Sequence, residues 1–407
     1  MNSIIQFQRR SMLCDDPVRI TVSRLQPYQR VTLRSSAKDE DGELWEAIET
    51  LAADSRGTIQ YGGQSHDGDE VASGLALMKF LWSLSPTGST RRRHSFFRTD
   101  SEPFQVQLSV HAADGERLAS EYVPFRFCSE DVNILDINEP VVGRYFYPEG
   151  KSKLPAALVL TGSMGGTVWS MQTAAMLSSK GYAALSLAYM DYQGRWGLPD
   201  KFADIPLDYF SAALQWLKQR PETDETRTGI FGLSMGAQAA LLLGSLHPTD
   251  MRAIIALMPS SHIFPGFSRK TVYPCSPWQS NDEPISFIPF REPAATVHDL
   301  YRKALETATA AEKQLARIRV ENIRCPLLMM STQKDAVWPS YEMCCALTET
   351  LRENSMVKHI SFTDAEHVWW LPYLPPVIQH PDLEAEKVTR SNKIAWETTL
   401  DFLNNHL

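Results

Sequence analysis

A serine between two glycines is the first feature of this chain that suggests chemistry. Residues 232–236 read Gly-Leu-Ser-Met-Gly, the pattern G-x-S-x-G. Residues 228–231 before it have strand character and residues 237–243 after it are strong helix formers, so Ser234 is predicted at a sharp strand-to-helix turn, the nucleophile elbow. The glycines are needed because such a turn leaves no room for neighbouring Cβ atoms. The alternative is a Gly-rich turn that buries an inert serine.

A serine hydroxyl is a weak nucleophile and needs a base that is itself held by a third group. In proteins with a nucleophile elbow, the acid and then the histidine follow the serine, each at the end of a later strand. Asp335 lies in the loop after the strand predicted over residues 326–330, and His367 ends the loop after the strand predicted over residues 359–362. We therefore expect Ser234, Asp335 and His367 to form a catalytic triad.

Three other histidines are rivals for the role of base. His262 follows the elbow too soon, His359 falls within a predicted strand, and His380 lies in a proline-rich tail. Each is more typical of a core or surface histidine. Asp364, the rival acid, is too near His367 in sequence to orient its ring easily.

Acyl transfer also needs two backbone N–H groups that bind the oxyanion. Met235, next to the nucleophile, is expected to supply one. The turn over residues 161–166, Thr-Gly-Ser-Met-Gly-Gly, is expected to supply the other, with Ser163 preferred and Met164 second. This turn lacks the Lys and Ser/Thr of a P-loop and the G-x-G-x-x-G spacing, so a nucleotide site is not favoured.

The elements that must position these residues are predicted from hydrophobic patterning. Residues 156–160 and 182–187 are short continuous apolar runs, as buried parallel strands require. Helical stretches at 170–180, 208–219 and 237–246 separate the strands. Alternating strands and helices predict an α/β domain with a doubly wound, mostly parallel sheet.

The N-terminal third has a different pattern. Residues 19–22, 30–33 and 104–110 alternate apolar and polar side chains, with turn signals such as Asp41-Gly42 between such runs. We predict an all-β sandwich over residues 1–135 and the α/β domain over residues 136–407.

Two further segments leave alternatives open. Residues 259–293 contain seven prolines and form either a lid or pocket wall or a packed surface excursion. The basic run at residues 91–93 either meets a phosphate-bearing ligand or is a solvated turn.

Composition excludes several classes of protein. The 407 residues carry 40 Lys and Arg against 48 Asp and Glu, a net charge of −8, which disfavours sequence-independent nucleic-acid binding. The six cysteines include no C-x-x-C, which fits a reducing compartment and not a structural zinc site. The N-terminus has too short an apolar run for a signal peptide, and no stretch approaches the length of a membrane span. We expect a cytoplasmic protein without metal or cofactor.

The whole chain resembles the acyl-CoA thioesterases together with the bile acid-CoA:amino acid N-acyltransferases. The segments that carry the resemblance occur in the family's order: residues 16–25, 44–45, 53–57, 81–86, 162–166, 181–189, 207–210, and 371–375 after His367. The resemblance implies an α/β-hydrolase fold preceded by an immunoglobulin-like domain, an acyl-CoA substrate, and a triad of Ser234, Asp335 and His367.

Two positions beside the predicted triad depart from the family pattern. Glu366 precedes the predicted base, where the family often has Gly, and Met235 follows the nucleophile, where a basic residue is frequent. The nucleophile is a serine, whereas the bile-acid-conjugating members use a cysteine. We expect Glu366, as a loop carboxylate, to face either the imidazole ring or the solvent.

These observations favour a serine acyl hydrolase that cleaves a thioester, either acyl-CoA or a carrier-bound acyl group, through an acyl-enzyme. The alternatives within enzymes are an acyl-CoA:amino acid N-acyltransferase and an esterase or hydrolase that trims a biosynthetic intermediate. A binding module with a degenerate site is a fourth reading, disfavoured because the three catalytic residue types occur in the expected order.

Overall fold

The chain forms two compact units. A computed structural model describes residues 4–8, 12–63, 68–88, 96, 100–194, 196–351, 356–368 and 371–407; the basic run at 91–93 lies outside them. The first unit comprises Met1–Ser129 and Val368–Glu397, and the second comprises Glu130–His367 and Thr398–Leu407.

The first unit is built on two β sheets. A three-stranded sheet has the order β1-β3-β6 and a six-stranded sheet has the order β2-β9-β8-β4-β5-β7. The elements are β1 (Ile4–Phe7), β2 (Met12–Leu13), β3 (Ile20–Ser23), β4 (Arg30–Lys38), β5 (Leu44–Ala52), β6 (Ile59–Tyr61), α1 (Glu70–Trp82), β7 (Ser85–Pro86), β8 (Phe104–His111) and β9 (Arg117–Arg126).

Alternation of buried and more exposed residues along the sequence explains why these segments form strands. Along β4 every second residue is buried, as expected for a strand with one face on a core. Gly42 makes the predicted turn between β4 and β5 with a φ of 83°, a conformation that favours glycine. The strand pattern did not predict α1, which begins after Asp69, whose side chain accepts a hydrogen bond from the Ala72 amide at 2.9 Å.

The second unit contains an eight-stranded sheet of order β10-β11-β13-β12-β15-β16-β19-β20. The strands from β13 to β20 in that order are parallel, while β10 and β11 are antiparallel. The elements are β10 (Val132–Ile137), β11 (Val142–Pro148), β12 (Leu154–Leu160), α2 (Ser170–Ser179), β13 (Ala183–Ala188), β14 (Ile205–Pro206), α3 (Leu207–Lys218), β15 (Thr223–Leu233), α4 (Met235–Leu246), β16 (Ala253–Leu257), β17 (Trp278–Ser280), β18 (Glu283–Pro284), α5 (Val297–Thr307), α6 (Ala310–Ala316), a 3₁₀ helix (Val320–Asn322), β19 (Leu327–Thr332), α7 (Ser340–Thr350), β20 (Val357–Phe362) and α8 (Ala385–His406).

The predicted doubly wound, mostly parallel sheet is confirmed. All residues of β13, β16 and β19 are buried, which explains their continuous apolar sequences. Because parallel strands all end at the same edge, the loops after β12, β13, β15, β16, β19 and β20 gather at the carboxyl edge of the sheet. Within the described residues, no helix is both long and apolar enough to cross a membrane.

The division of the chain differs in detail from the sequence-based boundary. A boundary at 135/136 falls inside β10, which pairs with β11 in the eight-stranded sheet. The compact units divide at 129/130 instead, because strand pairing and not composition decides where β10 belongs. Residues 368–397, predicted within the α/β domain, group with the first unit.

The proline-rich segment 259–293 follows β16 and holds β17 and β18. Several of its side chains, among them Phe264, Trp278 and Ile288, are buried, so much of the segment is packed. That it acts as a lid stays a prediction.

Candidate active site

The turn between β15 and α4 presents Ser234. Its backbone has φ 56° and ψ −116°, a left-handed conformation that is strained for a residue with a side chain. A Cβ on Gly232 would lie 2.2 Å from the Gly236 carbonyl oxygen, and a Cβ on Gly236 would lie 2.4 Å from the Thr161 carbonyl oxygen. Both glycines are therefore required by backbone packing, and the strained turn is held by the sheet around it.

Ser234, His367 and Asp335 meet at the carboxyl edge of the sheet. Ser234 Oγ lies 2.9 Å from His367 Nε2, and His367 Nδ1 lies 2.9 and 2.8 Å from the two carboxylate oxygens of Asp335. All three residues are buried, with 5, 5 and 7% of their surfaces exposed, respectively. Because a carboxylate only accepts hydrogen bonds, Nδ1 donates to Asp335 and Nε2 accepts from the serine hydroxyl. This tautomer can take up the serine proton.

The loop after β19 fixes the carboxylate of Asp335. Its Oδ1 accepts hydrogen bonds from the amides of Val337, at 2.8 Å, and Trp338, at 3.0 Å. The Trp338 ring also stands edge-on to the His367 ring, with centroids 5.3 Å apart, and its Nε1 donates to the Met258 carbonyl at 3.1 Å. Trp338 thus contacts the acid, the base and the end of β16.

Sequence reasoning missed Trp338. The available signal was an Asp followed by a short turn and a tryptophan, since Asp side chains bind the amides two and three residues on. That pattern predicts a local turn but gives no indication that the indole ring reaches His367.

The structure brings none of the rival histidines to Ser234. His262 Nδ1 lies 2.8 Å from Ser261 Oγ, and burial lowers the pKa of its ring to about 4. His359 Nε2 lies 2.8 Å from Ser331 Oγ, and burial lowers its pKa as well. The ring of His380 accepts a hydrogen bond from a nearby backbone amide.

The two acidic residues near His367 have different surroundings. Asp364 Oδ1 lies 3.6 Å from Lys334 Nζ, so this rival acid is engaged by a surface cation. Glu366 is buried, with 2% of its surface exposed, so the expectation that it could face the solvent is wrong.

The predicted oxyanion turn lies against the nucleophile. A Cβ on Gly162 would lie 3.0 Å from Ser234 Cβ, and the Gly165 amide donates to the Gly162 carbonyl at 3.4 Å, which closes the turn around Ser163 and Met164. Among the described residues, neither the Ser163 nor the Met164 amide donates to a protein acceptor. The turn therefore holds N–H groups beside the serine that are available to a ligand.

The first turn of α4 provides a second set of donors. Met235 is its first residue, and the N-terminal amides of a helix have no intrahelical acceptor. No side chain caps this end, and the helix dipole favours negative charge there. The Met235 amide is thus a donor at the nucleophile.

A buried glutamine links the elbow helix to segment 259–293. Gln238 is 1% exposed, and its amide nitrogen donates to Ser260 Oγ and, at 3.1 Å, to the His262 carbonyl. Its amide oxygen accepts from Trp278 Nε1. These bonds fasten two parts of the segment to the helix that begins after Ser234.

The described part of the chain offers no candidate metal site. Within the described ranges, no group of three or more His, Cys, Asp or Glu side chains is arranged to hold a metal ion. The chemistry that the geometry supports is nucleophilic attack by Ser234 with His367 as base.

Comparison with known proteins identifies the family of this chain. Residues 15–139 match the family model for the acyl-CoA thioester hydrolase/BAAT N-terminal region, and residues 205–407 match the BAAT/acyl-CoA thioester hydrolase C-terminal model. Among curated proteins, acyl-coenzyme A thioesterase 6 of Mus musculus is 27% identical over 89% of this chain and 84% of that protein. Acyl-coenzyme A thioesterase 3 of the same species is 28% identical over 97% of this chain and 92% of that protein.

A solved structure also aligns with part of the chain. The dienelactone hydrolase from Anabaena variabilis superposes with a TM-score of 0.40 and 15% identity, covering 68% of this chain and all of that one (100%).

Proposed function

The chain is an enzyme of the acyl-CoA thioester hydrolase/BAAT family, and from this membership and the geometry of the site we propose that it hydrolyses acyl thioesters through a Ser-His-Asp triad and an acyl-enzyme. The observation that carries the proposal is the continuous hydrogen-bonded series from Ser234 Oγ through His367 to Asp335. The family relationship supports acyl-CoA as the substrate.

In the first half-reaction, Ser234 Oγ attacks the acyl carbonyl while His367 Nε2 accepts the hydroxyl proton. The amide of Met235 and an amide of the 162–165 turn, with Ser163 preferred, bind the oxyanion. Asp335 holds the imidazole tautomer and stabilises the imidazolium that forms. Collapse of the intermediate breaks the C–S bond, and the thiolate leaves, taking the proton from His367.

In the second half-reaction, His367 accepts a proton from water as the water attacks the acyl ester. Collapse of this intermediate breaks the bond to Ser234 Oγ, which receives the proton back from His367. The products are a carboxylic acid and free enzyme. The same two amides bind the oxyanion in both halves.

The serine nucleophile favours hydrolysis over transfer to an amine. A cysteine acyl-enzyme is a thioester, which reacts with amines in strong preference to water, whereas a serine acyl-enzyme is an oxygen ester that discriminates less. Water activated by His367 therefore outcompetes dilute amines. We accordingly expect added glycine or taurine to leave free acid as the main product.

We also propose a cytoplasmic location. Cys275, Cys325, Cys344 and Cys345 are free thiols, which fits a reducing compartment. Fractionation of cells that express the tagged chain, with peroxisomal and mitochondrial markers as controls, tests this point. Recovery in either organelle would contradict it.

The test of function is hydrolysis of acyl-CoAs of graded chain length, followed by thiol release, with Ser234→Ala as the control. We expect thiol release by the wild-type chain, and a loss of about 10⁴-fold or more in the variant. A fluorophosphonate probe should label the wild-type chain at Ser234 and leave the variant unlabelled. Near-wild-type turnover by a folded Ser234→Ala protein would refute the assignment.

A further inference from the structure

Four cations in the segments that follow β13, β16 and β19 differ in their partners. Arg291, in the segment after β16, and Lys334, in the loop after β19, each pair with a carboxylate. Lys201, in the loop after β13, and Arg269, in the segment after β16, have no carboxylate partner in the described part of the chain. Their charges are available to an anionic ligand at the edge where Ser234 lies.

Aromatic rings, and not carboxylates, hold these two cations. The Arg269 guanidinium carbon lies 4.4 Å from the centroid of the Tyr192 ring, and Lys201 Nζ lies 5.2 Å from the centroid of the Tyr273 ring. A ring face orients a cation without neutralising its charge. The backbone pairing of Phe202, next to Lys201, with Phe267 holds the two loops together.

Contacts connect Arg269 to the turn that lies against the nucleophile. The position of a Cβ on Gly165 lies 3.3 Å from Tyr192 Cδ2, so Tyr192 packs against the oxyanion turn. The other end of that turn, Gly162, lies against Ser234. The Arg269 side chain is therefore one aromatic ring away from the turn that borders the reacting carbonyl.

Carboxylates lie near these two cations without forming ion pairs with them in the described part of the chain. Burial raises the pKa of the Tyr192 phenol, Arg269 opposes that shift and Asp200 adds to it. Asp200 thus faces the same ring as Arg269, yet it forms no ion pair with either cation within the described residues. Burial raises the pKa of the Cys275 thiol, Asp204 adds to that shift and Lys201 opposes it, so Asp204 is a second carboxylate in this loop. Neither carboxylate forms an ion pair with Lys201 or Arg269 within the described residues, so both cations can engage a ligand.

We propose that Lys201 and Arg269 bind phosphate groups of the coenzyme A half of the substrate. This inference rests on the proposed thioester hydrolysis and names a subsite for it. Arginine suits phosphate because its planar fork donates two parallel hydrogen bonds, and lysine adds a point charge. The phosphates are separated from the thioester by the pantetheine arm, so we expect their binding energy to be the same in the ground state and the transition state, which lowers KM and leaves kcat unchanged.

The experiment compares two thioesters that carry the same acyl group, an acyl-CoA and the matching acyl-pantetheine, which has no phosphates. For the double variant Lys201→Gln/Arg269→Gln, we expect KM for acyl-CoA to rise about tenfold or more, because each lost charge-assisted hydrogen bond weakens the binding of the phosphate groups. KM for acyl-pantetheine and kcat for both substrates should stay within about twofold. The inhibition constant of 3′,5′-ADP, a phosphate-bearing fragment of coenzyme A, should rise in parallel.

Arg302→Gln is the matched control, because Arg302 lies on α5 and is paired with Glu306. We expect its KM values to equal those of the wild type. An unchanged KM for acyl-CoA in the double variant, or an equal rise for both thioesters, would overturn the phosphate subsite and leave hydrolysis established. A wild-type chain that cleaves neither thioester would refute the proposed function and the subsite with it.

Discussion

Replacing Asp335 by Asn should reverse the direction of the hydrogen bond between this side chain and His367 Nδ1 while preserving the shape of the site. In the structure, Asp335 Oδ1 accepts from the amides of Val337 and Trp338. His367 Nδ1 lies 2.8 Å from Oδ2, which faces the ring, and 2.9 Å from Oδ1, which those two amides already engage. An Asn side chain must keep its carbonyl oxygen against the two backbone donors, because an NH₂ group there would face two N–H groups. Its NH₂ group is then directed at His367 and donates to Nδ1.

Because a protonated Nδ1 would then face the NH₂ group of Asn, the imidazole is expected to adopt the wrong tautomer. With Nδ1 accepting, Nε2 carries the proton and donates towards Ser234 Oγ, 2.9 Å away, so it cannot take up the serine proton. In triads of this geometry such an inversion lowers kcat about 10⁴-fold, equivalent to about 5.5 kcal/mol in the activation free energy. The structure predicts a loss of that order here, with little change in the free energy of unfolding because the side chains are isosteric.

The assay is acyl-CoA hydrolysis by purified wild-type, Asp335→Asn and Asp364→Asn proteins, with thermal unfolding measured in parallel. Asp364→Asn is the matched control, since this carboxylate lies near His367 in sequence and pairs with Lys334. We expect its activity to stay within about threefold of wild type, as for a surface ion pair. The assignment of the acid would be refuted if Asp335→Asn kept a tenth of wild-type kcat. It would also be refuted if Asp364→Asn lowered kcat as far as Asp335→Asn does.

Three further outcomes are expected. Ser234→Ala and His367→Ala should each abolish acyl-CoA turnover, and the double variant should be no slower than either alone because the triad acts as a unit; a further large loss in the double variant would contradict this. Trp338→Leu should lower kcat/KM about 100-fold by releasing the acid and the base from their positions. The control is Trp82→Leu, which removes another buried indole that donates to a carbonyl and should lower stability without lowering kcat/KM. If Trp82→Leu lowered kcat/KM as much as Trp338→Leu, a positioning role for Trp338 would be contradicted. The pKa of His262 falls from about 6.5 unfolded to about 4 folded, so the unfolded chain binds the proton first as pH drops between these values, and the free energy of unfolding should decrease over this range. His262→Gln should flatten that dependence in chemical denaturation, and an unaltered slope would contradict it.

Much of the fold could be predicted because the burial of a strand determines which residues are apolar along its sequence. Strands buried on both faces, such as β16 and β19, need continuous apolar runs, and strands with one exposed face, such as β4, need alternation. The hairpin β10-β11 was not predicted, since β10 has mixed burial and no clear pattern. Helix α1 was missed because it lies among alternating strands.

The positions of Ser234, Asp335 and His367 could be predicted because their order follows from strand order. Trp338 and Gln238 could not, since their roles depend on where large side chains point in three dimensions. An indole that reaches His367 and an amide that reaches Ser260 have no periodic signal in one dimension. Only the packed structure brings such partners together.

The proposed triad and the proposed phosphate subsite depend on different parts of the fold. The triad residues Ser234, Asp335 and His367 follow β15, β19 and β20, which belong to one parallel sheet with a fixed register. Leu233 of β15 pairs with Leu257 of β16, β16 pairs with β19, and β19 pairs with β20. A sheet in fixed register holds the ends of its strands at nearly constant spacing, so the triad geometry is a property of the sheet. Lys201 and Arg269 lie instead on long loops that the sheet does not align, and rings hold them in place. Substitutions in those loops can therefore change which thioester binds while leaving the distance from Ser234 to His367 unchanged. A loop variant that altered KM for acyl-CoA without altering the rate of fluorophosphonate labelling would demonstrate this division directly.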